Sequence, residues 1–254
     1  SGAAMGGVGV WGVGVWGCGG VGEPKCSIGQ FGKPWVTMGL AAVSSGHDPA
    51  GRVFTEDDWA NTDVKIGAYG KSKALAERAA WDFINKLPAG QGPELVSINP
   101  SYVLGPLLDE DGSVSVEIVG KLMRLEIPGC ARLGFTLVDV RDVATAHLAA
   151  MTAPQAAGKR FICSSEFYWL QDIAFILEKH FADRGYRIPT RLLPDFFIRL
   201  FALTDGDVRR VVPTLGLRYE VSSELLKSTL AWQPCPVEEP IVDTAESLIE
   251  WKLA

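Results

Sequence analysis

The segment at residues 69–87 decides the fold, and it reads YGKSKALAERAAWDFINKL. Apolar residues recur along it at helical spacing, which predicts a buried amphipathic helix. The residues that form this predicted apolar face are Ala76, Ala79, Ala80, Phe83, Ile84 and Leu87.

Two polar residues open this helix and carry its chemistry. Tyr69 and Lys73 stand four residues apart, a spacing that places both side chains on one face of a helix. A lysine ammonium beside a phenol favours the phenolate, so the pair predicts a lowered pKa for Tyr69. Such a tyrosine can donate or accept a proton when a hydride moves to or from a carbonyl carbon. By itself, a Tyr and a Lys at this spacing more often make only a surface contact, and the surrounding sequence is what favours the chemical interpretation.

The flanking segments read as strands. Residues 34–43 form a continuous apolar run that predicts a buried strand, and residues 95–100 predict another. The segment 54–59 lies between the first strand and the helix, and the turn at residues 101–106 follows the second strand. A strand, a helix and a second strand in this order are typical of an α/β domain.

Composition narrows the class of protein. The 254 residues suit one α/β domain or one domain with a small appendage, and 47% apolar residues support a sizeable core. A net charge of −6 without a basic stripe argues against a nucleic-acid partner. Five dispersed cysteines and three histidines show no metal-ligand spacing. They indicate reduced thiols in a cytoplasmic protein rather than a disulfide framework or a metal site.

Residues 1–33 differ in composition from the rest of the chain. Residues 8–12 read VGVWG and repeat at once as residues 13–17, and no charge precedes Glu23. An uncharged stretch of this length raises the possibility of a membrane span, but its many glycines disfavour a helix. The absence of a basic region and of a compact apolar core disfavours a signal peptide. We therefore interpret residues 1–33 as a low-complexity, largely disordered leader.

Three blocks in order carry a family resemblance: the Tyr69/Lys73 helix, the turn NPSYVLGP at 99–106 and VDVRDVA at 138–144. From about residue 34 onward the chain resembles the extended short-chain dehydrogenase/reductases, especially their dihydroflavonol-reductase-like and aldehyde-reductase-like members. The resemblance implies an α/β fold with a partial Rossmann-like, doubly wound parallel sheet. It also implies one reductase domain over residues 34–254, with a small C-terminal substrate cap at about 164–240.

The same resemblance implies an NAD(P)-dependent oxidoreductase that acts on a small-molecule carbonyl or alcohol. It assigns the proton donor to Tyr69, and it assigns pKa lowering and the nicotinamide ribose contact to Lys73. Gly39 stands where the family has its catalytic serine, which is a departure from the pattern. Thr37, two residues earlier, points to the same side of an extended strand and is the candidate substitute, although it would sit about 6–7 Å further along.

The turn after the second strand is the predicted cofactor contact. In open α/β sheets, ligands bind outside the carboxyl ends of the strands. The resemblance implies that backbone groups there contact the nicotinamide carboxamide; these residues are Pro100, Ser101, Tyr102 and Val103. A plain proline-bearing loop is the alternative.

The block at 138–144 begins another predicted helix. Asp139 can cap it, and the helix dipole favours Asp142 in its first turn. The resemblance implies that Arg141 and Asp142 hold this turn near the active cleft. We interpret His147, further along the helix, as a packed or surface histidine rather than a base.

The glycines at 7–12 match the G-x-G-x-x-G pattern of dinucleotide-binding turns. That pattern needs a strand before it and a helix after it, and this sequence supplies neither. We therefore expect a chance match and a chain that lacks the N-terminal part of the cofactor-binding sheet. The choice between NADP and NAD, the substrate and the oligomeric state stay open.

Two alternatives to an active reductase remain. One is a catalytically impaired remnant or binding module of the same family, since the phosphate turn and the serine are both missing. The other is a sugar-nucleotide epimerase or dehydratase, which shares the Tyr/Lys pair.

The C-terminal third predicts helices over 169–181, 194–203 and a final one through Trp251. Phe196, Phe197 and Phe201 are candidates to line a substrate pocket, but we expect core packing for them. Cys235, between two prolines, predicts a loop.

Overall fold

The computed structural model describes residues 35–88, 92–110 and 114–254. The predicted leader and the glycine pattern at 7–12 lie outside the described residues. The strands are β1 Trp35–Thr37, β2 Val53–Phe54, β3 Val96–Pro100, β4 Tyr102–Leu104, β5 Gly134–Asp139, β6 Arg160–Cys163, β7 Phe167–Trp169 and β8 Glu220–Val221. The helices are α1 Ala41–Ser44, α2 Ala68–Asn85, α3 Val114–Met123, α4 Val140–Thr152, α5 Leu170–Phe181, α6 Asp195–Phe201, α7 Gly206–Val211, α8 Glu224–Leu230 and α9 Glu238–Glu250.

A parallel sheet of order β1-β3-β6 forms the centre of the described structure. Its middle strand, β3, is buried on both faces. Val96 and Ile98 pack with Ala146 of α4 on one face, whereas Ser97 and Asn99 bond to Glu77 of α2 on the other. Because successive strand residues alternate between faces, helices cover both sides of the sheet. The predicted α/β, doubly wound architecture is confirmed.

One residue, Ser101, separates β3 from β4, and β4 leads the chain into a second sheet. In this sheet β4 pairs parallel with β5, and β5 pairs antiparallel with β7. Its core is apolar side chains shared with α3, α5 and α9. A short parallel pair, β2 with β8, joins the segment before α2 to the C-terminal third.

The predicted strand at 34–43 is wrong in its second half. Only Trp35–Thr37 is extended, and Ala41–Ser44 forms the short helix α1. Gly39, at φ +131°, lies in the turn between them. A continuous apolar run does not distinguish a buried strand from a buried turn and helix, since each hides the same side chains.

Helix α2 is confirmed, but its predicted buried face is wrong. The fully buried positions are Gly70, Ala74 and Glu77, while Phe83 is 63% exposed. The helix lies close to the sheet and α1 through small residues and one buried carboxylate. Its larger apolar residues therefore lie partly on the outside.

The turn before α4 has the predicted cap. The Asp139 carboxylate accepts a hydrogen bond from the Arg141 backbone N–H at 2.7 Å, and the Arg141 guanidinium also binds it. The Asp142 carboxylate accepts from the backbone N–H of Cys235 at 2.7 Å. The indole of Trp232 donates to the Asp142 carbonyl at 2.9 Å. This block therefore fastens the C-terminal segment to the central sheet.

The predicted C-terminal helices correspond to α5, α6 and α9. The expectation of core packing is wrong for the phenylalanines of α6, because Phe196 is 62% exposed and Phe197 and Phe201 are also exposed. None of the helices in the described ranges is both long enough and apolar enough to cross a bilayer.

Candidate active site

The phenol of Tyr69 lies at the carboxyl end of the central sheet. A Cβ atom placed on Gly39 would sit 3.7 Å from the Tyr69 hydroxyl oxygen and 3.8 Å from the Pro100 carbonyl oxygen. Gly39 follows β1, and Pro100 ends β3. The turn at Gly39 therefore faces the phenol, at the sheet edge where open α/β sheets bind ligands.

The conformation of Gly39 favours glycine. Its φ of +131° lies outside the regions that residues with a side chain readily adopt. Neighbouring backbone groups hold this turn to β3, since Met38 N–H donates to the Ile98 carbonyl and Leu40 N–H to the Pro100 carbonyl. Gly39 N–H donates to the Asn99 side-chain oxygen at 3.3 Å.

Replacing Gly39 with serine is expected to lower the free energy of unfolding by about 1–3 kcal/mol, because a side chain strains this backbone. Urea unfolding of wild type and Gly39→Ser measures the effect. Gly67→Ser is the matched control, since Gly67 has φ −60° and nothing within 4 Å of an added Cβ. A serine there can cap α2, so stability should hold or rise slightly. Equal stability of Gly39→Ser and wild type would contradict the expectation that a side chain strains the backbone at this position.

The predicted lowering of the Tyr69 pKa is wrong for this arrangement. Partial burial raises the pKa of the phenol above its ordinary value, and partial burial lowers the pKa of Lys73. The Lys73 ammonium lies over the phenol ring, 5.8 Å from its centroid. The pair shares one helix face as predicted, but desolvation sets the direction of both pKa shifts. Tyr69 is therefore protonated at neutral pH, which suits a proton donor.

Thr37 lies on the other face of the sheet. Its partner in β3 is Ile98, which packs toward α4, and its hydroxyl lies 2.7 Å from the His147 Nε2 atom. The catalytic assignment of Thr37 is thus not supported by geometry, because the alternation assumed for 37 and 39 ends with the strand. His147 Nδ1 lies 2.7 Å from the Val143 carbonyl. Since a carbonyl only accepts, Nδ1 carries the ring proton and Nε2 accepts from Thr37.

His147 is expected to make stability depend on pH. Burial lowers its pKa below the ordinary value of 6.5, although the bond to Val143 works against that. Below that pH the unfolded chain binds a proton that the folded chain resists, so the free energy of unfolding falls until the folded pKa is passed. His147→Gln should therefore lose less stability than wild type between about pH 8 and about pH 5. Parallel unfolding profiles for the two proteins would contradict this assignment.

Several groups of the turn at residues 100–103 make hydrogen bonds within the fold. Ser101 N–H donates to the Cys163 carbonyl at 3.0 Å, and Val103 pairs with Val138 of β5. The Tyr102 hydroxyl donates to the Val114 carbonyl at 3.1 Å, and burial raises the pKa of this phenol strongly. The Ser101 hydroxyl is buried and has no hydrogen-bond partner within the described part of the chain.

These groups fit the nicotinamide end of a dinucleotide. Tyr69, Lys73 and the unpartnered Ser101 hydroxyl lie at the carboxyl edge of the sheet. The space beside Gly39 would be filled by a Cβ atom. Within the described ranges, no group of three His, Cys, Asp or Glu side chains is arranged to hold a metal ion.

A buried polar network beneath the Tyr69 helix was missed by sequence reasoning. Glu77 is 0% exposed and receives both arms of the Arg160 guanidinium, at 2.8 and 3.1 Å. Ser97 donates to the Glu77 carboxylate at 2.7 Å and Asn99 at 3.2 Å. We call these four residues the Glu77 network. The sequence held one signal for this network, because Glu77 follows Lys73 by four residues and therefore shares its helix face.

Arg160 extends the Glu77 network to the segment before α2. Its Nη1 atom donates to the carbonyls of Glu56 and Asp58, at 2.5 and 2.8 Å. Its guanidinium lies 3.7 Å from the centroid of the Trp59 ring. On the outer edge of β6, the Glu56 carboxylate accepts from Ile162 N–H at 3.0 Å. The Tyr69 helix, the sheet and the 56–59 segment are therefore joined through one buried guanidinium.

The fold and the Tyr/Lys geometry together define a Rossmann-type α/β domain with the Tyr69/Lys73 pair at the carboxyl edge of its sheet. No family model matches the sequence. The chain is 38% identical over 151 residues to an NADPH-dependent methylglyoxal reductase of Saccharomyces cerevisiae, covering 54% of this chain and 43% of that protein. It is 30% identical over 217 residues to cinnamoyl-CoA reductase 1 of Petunia hybrida, covering 84% and 58%.

Among solved structures, the yeast methylglyoxal/isovaleraldehyde reductase complexed with NADPH superposes with a TM-score of 0.67 at 26% identity. That match covers 87% of this chain and 64% of the other. The chain thus spans about half the length of the curated relatives it matches. These matches relate the chain to the extended short-chain dehydrogenase/reductases, as its three sequence blocks predicted.

Proposed function

We propose that this chain is the catalytic part of an NADPH-dependent reductase of small aldehydes or ketones. The position of the Tyr69 hydroxyl carries the proposal: it lies beside the turn at Gly39 and the end of β3, with Lys73 on the same helix face. Two comparisons support it: one matched yeast protein is an NADPH-dependent methylglyoxal reductase, and the matched yeast structure is a complex with NADPH.

The chain's own residues suit carbonyl reduction. NADPH, when bound, would supply the hydride for the carbonyl carbon. The Tyr69 phenol, protonated at neutral pH, would donate its proton to the carbonyl oxygen as negative charge develops there. The Lys73 ammonium would stabilise the resulting phenolate. Lys73 and the turn at 100–103, with the Ser101 hydroxyl, would hold the nicotinamide end.

The proposal is tested by two measurements on the purified chain. Titration with NADPH, followed by nicotinamide fluorescence, reports cofactor binding. Loss of NADPH absorbance with methylglyoxal or another small aldehyde reports turnover. Absence of both binding and turnover in the folded chain would overturn the proposal.

Gly39 favours a second candidate, a binding module of the same family that holds the cofactor but reduces carbonyls poorly. No side-chain hydroxyl stands beside Tyr69 at this position, and Thr37 points to the opposite face. NADPH binding without turnover would support this candidate. Robust turnover would exclude it.

We also propose a reducing, cytoplasmic setting for the protein. Cys130 and Cys163 are buried free thiols, and Cys235 is a half-buried one.

We also propose that residues 34–254 form a reductase domain with a C-terminal substrate cap at about 164–240. Limited proteolysis that releases a stable fragment ending near residue 164 would support that division.

A further inference from the structure

Asn99 is the member of the Glu77 network that reaches the active-site turn. Its side chain is completely buried at the end of β3. Its nitrogen donates to Glu77 at 3.2 Å and to Ser97 at 3.3 Å, while its oxygen accepts from Gly39 N–H at 3.3 Å. One amide therefore links the buried ion pair to the backbone beside the Tyr69 hydroxyl.

The orientation of this amide follows from its partners. The Glu77 oxygen that faces Asn99 already accepts from Arg160 and Ser97, so the NH₂ group of Asn99 must face it. The carbonyl oxygen of Asn99 must then face the other way, toward Gly39 N–H. A flipped amide would place a donor against a donor at Gly39 and an acceptor against Glu77, and both contacts are unfavourable.

The Gly39 turn needs such an anchor. Glycine adopts a φ of +131° without strain, but it adopts many other backbone conformations about as readily, so its surroundings must select this one. The groups on either side are tied to β3 by backbone bonds, and Asn99 supplies the side-chain bond at Gly39 itself. If that bond is lost, the turn that faces the Tyr69 hydroxyl can relax.

We infer that Asn99 is a positioning residue, which acts through the Gly39 turn to fix the surroundings of the Tyr69 hydroxyl during proton transfer. The inference rests on the proposed function for its kinetic consequence, but the geometry it assigns can be tested without turnover. The Glu77–Arg160 ion pair is then a support for the active site, because it sets the orientation of the Asn99 amide.

Ser97 offers a matched control. It is as buried as Asn99, it lies on the same face of β3 and it also donates to Glu77, at 2.7 Å. Unlike Asn99, its hydroxyl bonds within the Glu77 network and not to the Gly39 turn. Ser97→Ala and Asn99→Ala both remove a donor from Glu77, and Asn99→Ala alone releases Gly39.

The kinetic test compares these two variants in the full chain. Both should unfold at a lower temperature than wild type, because each removes a buried bond to a charged group. Asn99→Ala is expected to lower kcat roughly 10- to 100-fold with little change in KM, as a misplaced reacting group does. Ser97→Ala should keep kcat within about threefold. If Asn99→Ala does not fold, Asn99→Ser serves instead, since its short hydroxyl keeps a donor in the network without reaching Gly39.

A second measurement separates this inference from the proposed function. Ionisation of the Tyr69 phenol is followed by absorbance, as the difference between each protein and its Tyr69→Phe counterpart. Asn99→Ala should shift this ionisation away from its wild-type position, because the Gly39 turn that faces the hydroxyl relaxes, and Ser97→Ala should not. If no protein turns over but this shift is seen, the proposed function fails and the positioning role stands. Equal kcat values and equal phenol titrations for the two folded variants would overturn the inference.

Discussion

Glu77→Met is expected to remove about 3–5 kcal/mol from the free energy of unfolding, because it leaves the Arg160 guanidinium charged and unpaired inside the protein. Glu77 is 0% and Arg160 8% exposed, so water cannot replace the missing carboxylate. A typical domain is stable by only about 5–15 kcal/mol, so this substitution alone brings the fold close to unfolding. Denaturant unfolding measures the loss, and Trp59, which stacks on Arg160, is a local fluorescent reporter.

The double variant Glu77→Met/Arg160→Met separates the buried charge from the space that it fills. Replacing both ions with apolar residues removes the unpaired charge, so the double variant should be more stable than Glu77→Met alone. It should remain less stable than wild type, because the carbonyls of Glu56 and Asp58 lose their donor. Glu246→Met is the surface control: its pair with Arg184 is exposed, and the expected loss is below about 1 kcal/mol. A loss of that size for Glu77→Met would refute the structural role of the buried pair.

Tyr69→Phe is expected to lower kcat for carbonyl reduction by roughly 10²- to 10⁴-fold, the contribution typical of a positioned proton donor. The substitution removes one hydroxyl and keeps the ring over which Lys73 lies. Tyr69 is 65% exposed, so the variant should fold as wild type does. NADPH affinity should stay within a few-fold in a fluorescence titration, since the cofactor contacts are assigned to Lys73 and the 100–103 turn.

Tyr186→Phe is the matched control for this experiment, because it also removes one phenol hydroxyl. The Tyr186 ring packs against Phe181 in the core of the second sheet. The kcat of Tyr186→Phe should equal that of wild type. If Tyr69→Phe retains wild-type kcat, another group donates the proton and the site assignment is wrong. If wild type and both variants bind NADPH without turnover, the binding-module candidate is favoured.

Much of the fold could be predicted from local patterns. The periodic segment at 69–87, the apolar run at 95–100 and the Asp139 cap each depend on neighbours close in sequence, and α2, β3 and α4 formed where expected. Tyr69 and Lys73 share a helix face for the same reason. The resemblance to the reductase family likewise rested on short blocks of sequence, and the comparisons confirmed that resemblance.

The errors arose where contacts between distant residues decide the outcome. The predicted apolar face of α2 assumed that the largest apolar side chains lie inside, yet the helix instead buries Glu77 against Arg160, which is 83 residues away. The pKa of Tyr69 was predicted from its neighbour Lys73 alone, whereas desolvation by the whole surroundings raises it. Thr37 was predicted to point to the same side as Gly39, but the strand ends at Thr37, so its alternation does not extend to Gly39.

The sequence by itself determined which residues can do the chemistry and which elements carry them. Helix periodicity, capping and the Tyr/Lys spacing are properties of residues a few positions apart, and they act before the chain is packed. Only the tertiary structure decided which partners those residues meet: Asn99 with Gly39, Thr37 with His147, and Glu77 with Arg160. Burial, hydrogen-bond geometry and desolvation depend on segments that meet only in the folded chain. For that reason the surroundings of the Tyr69 hydroxyl could not be read from the residues next to it.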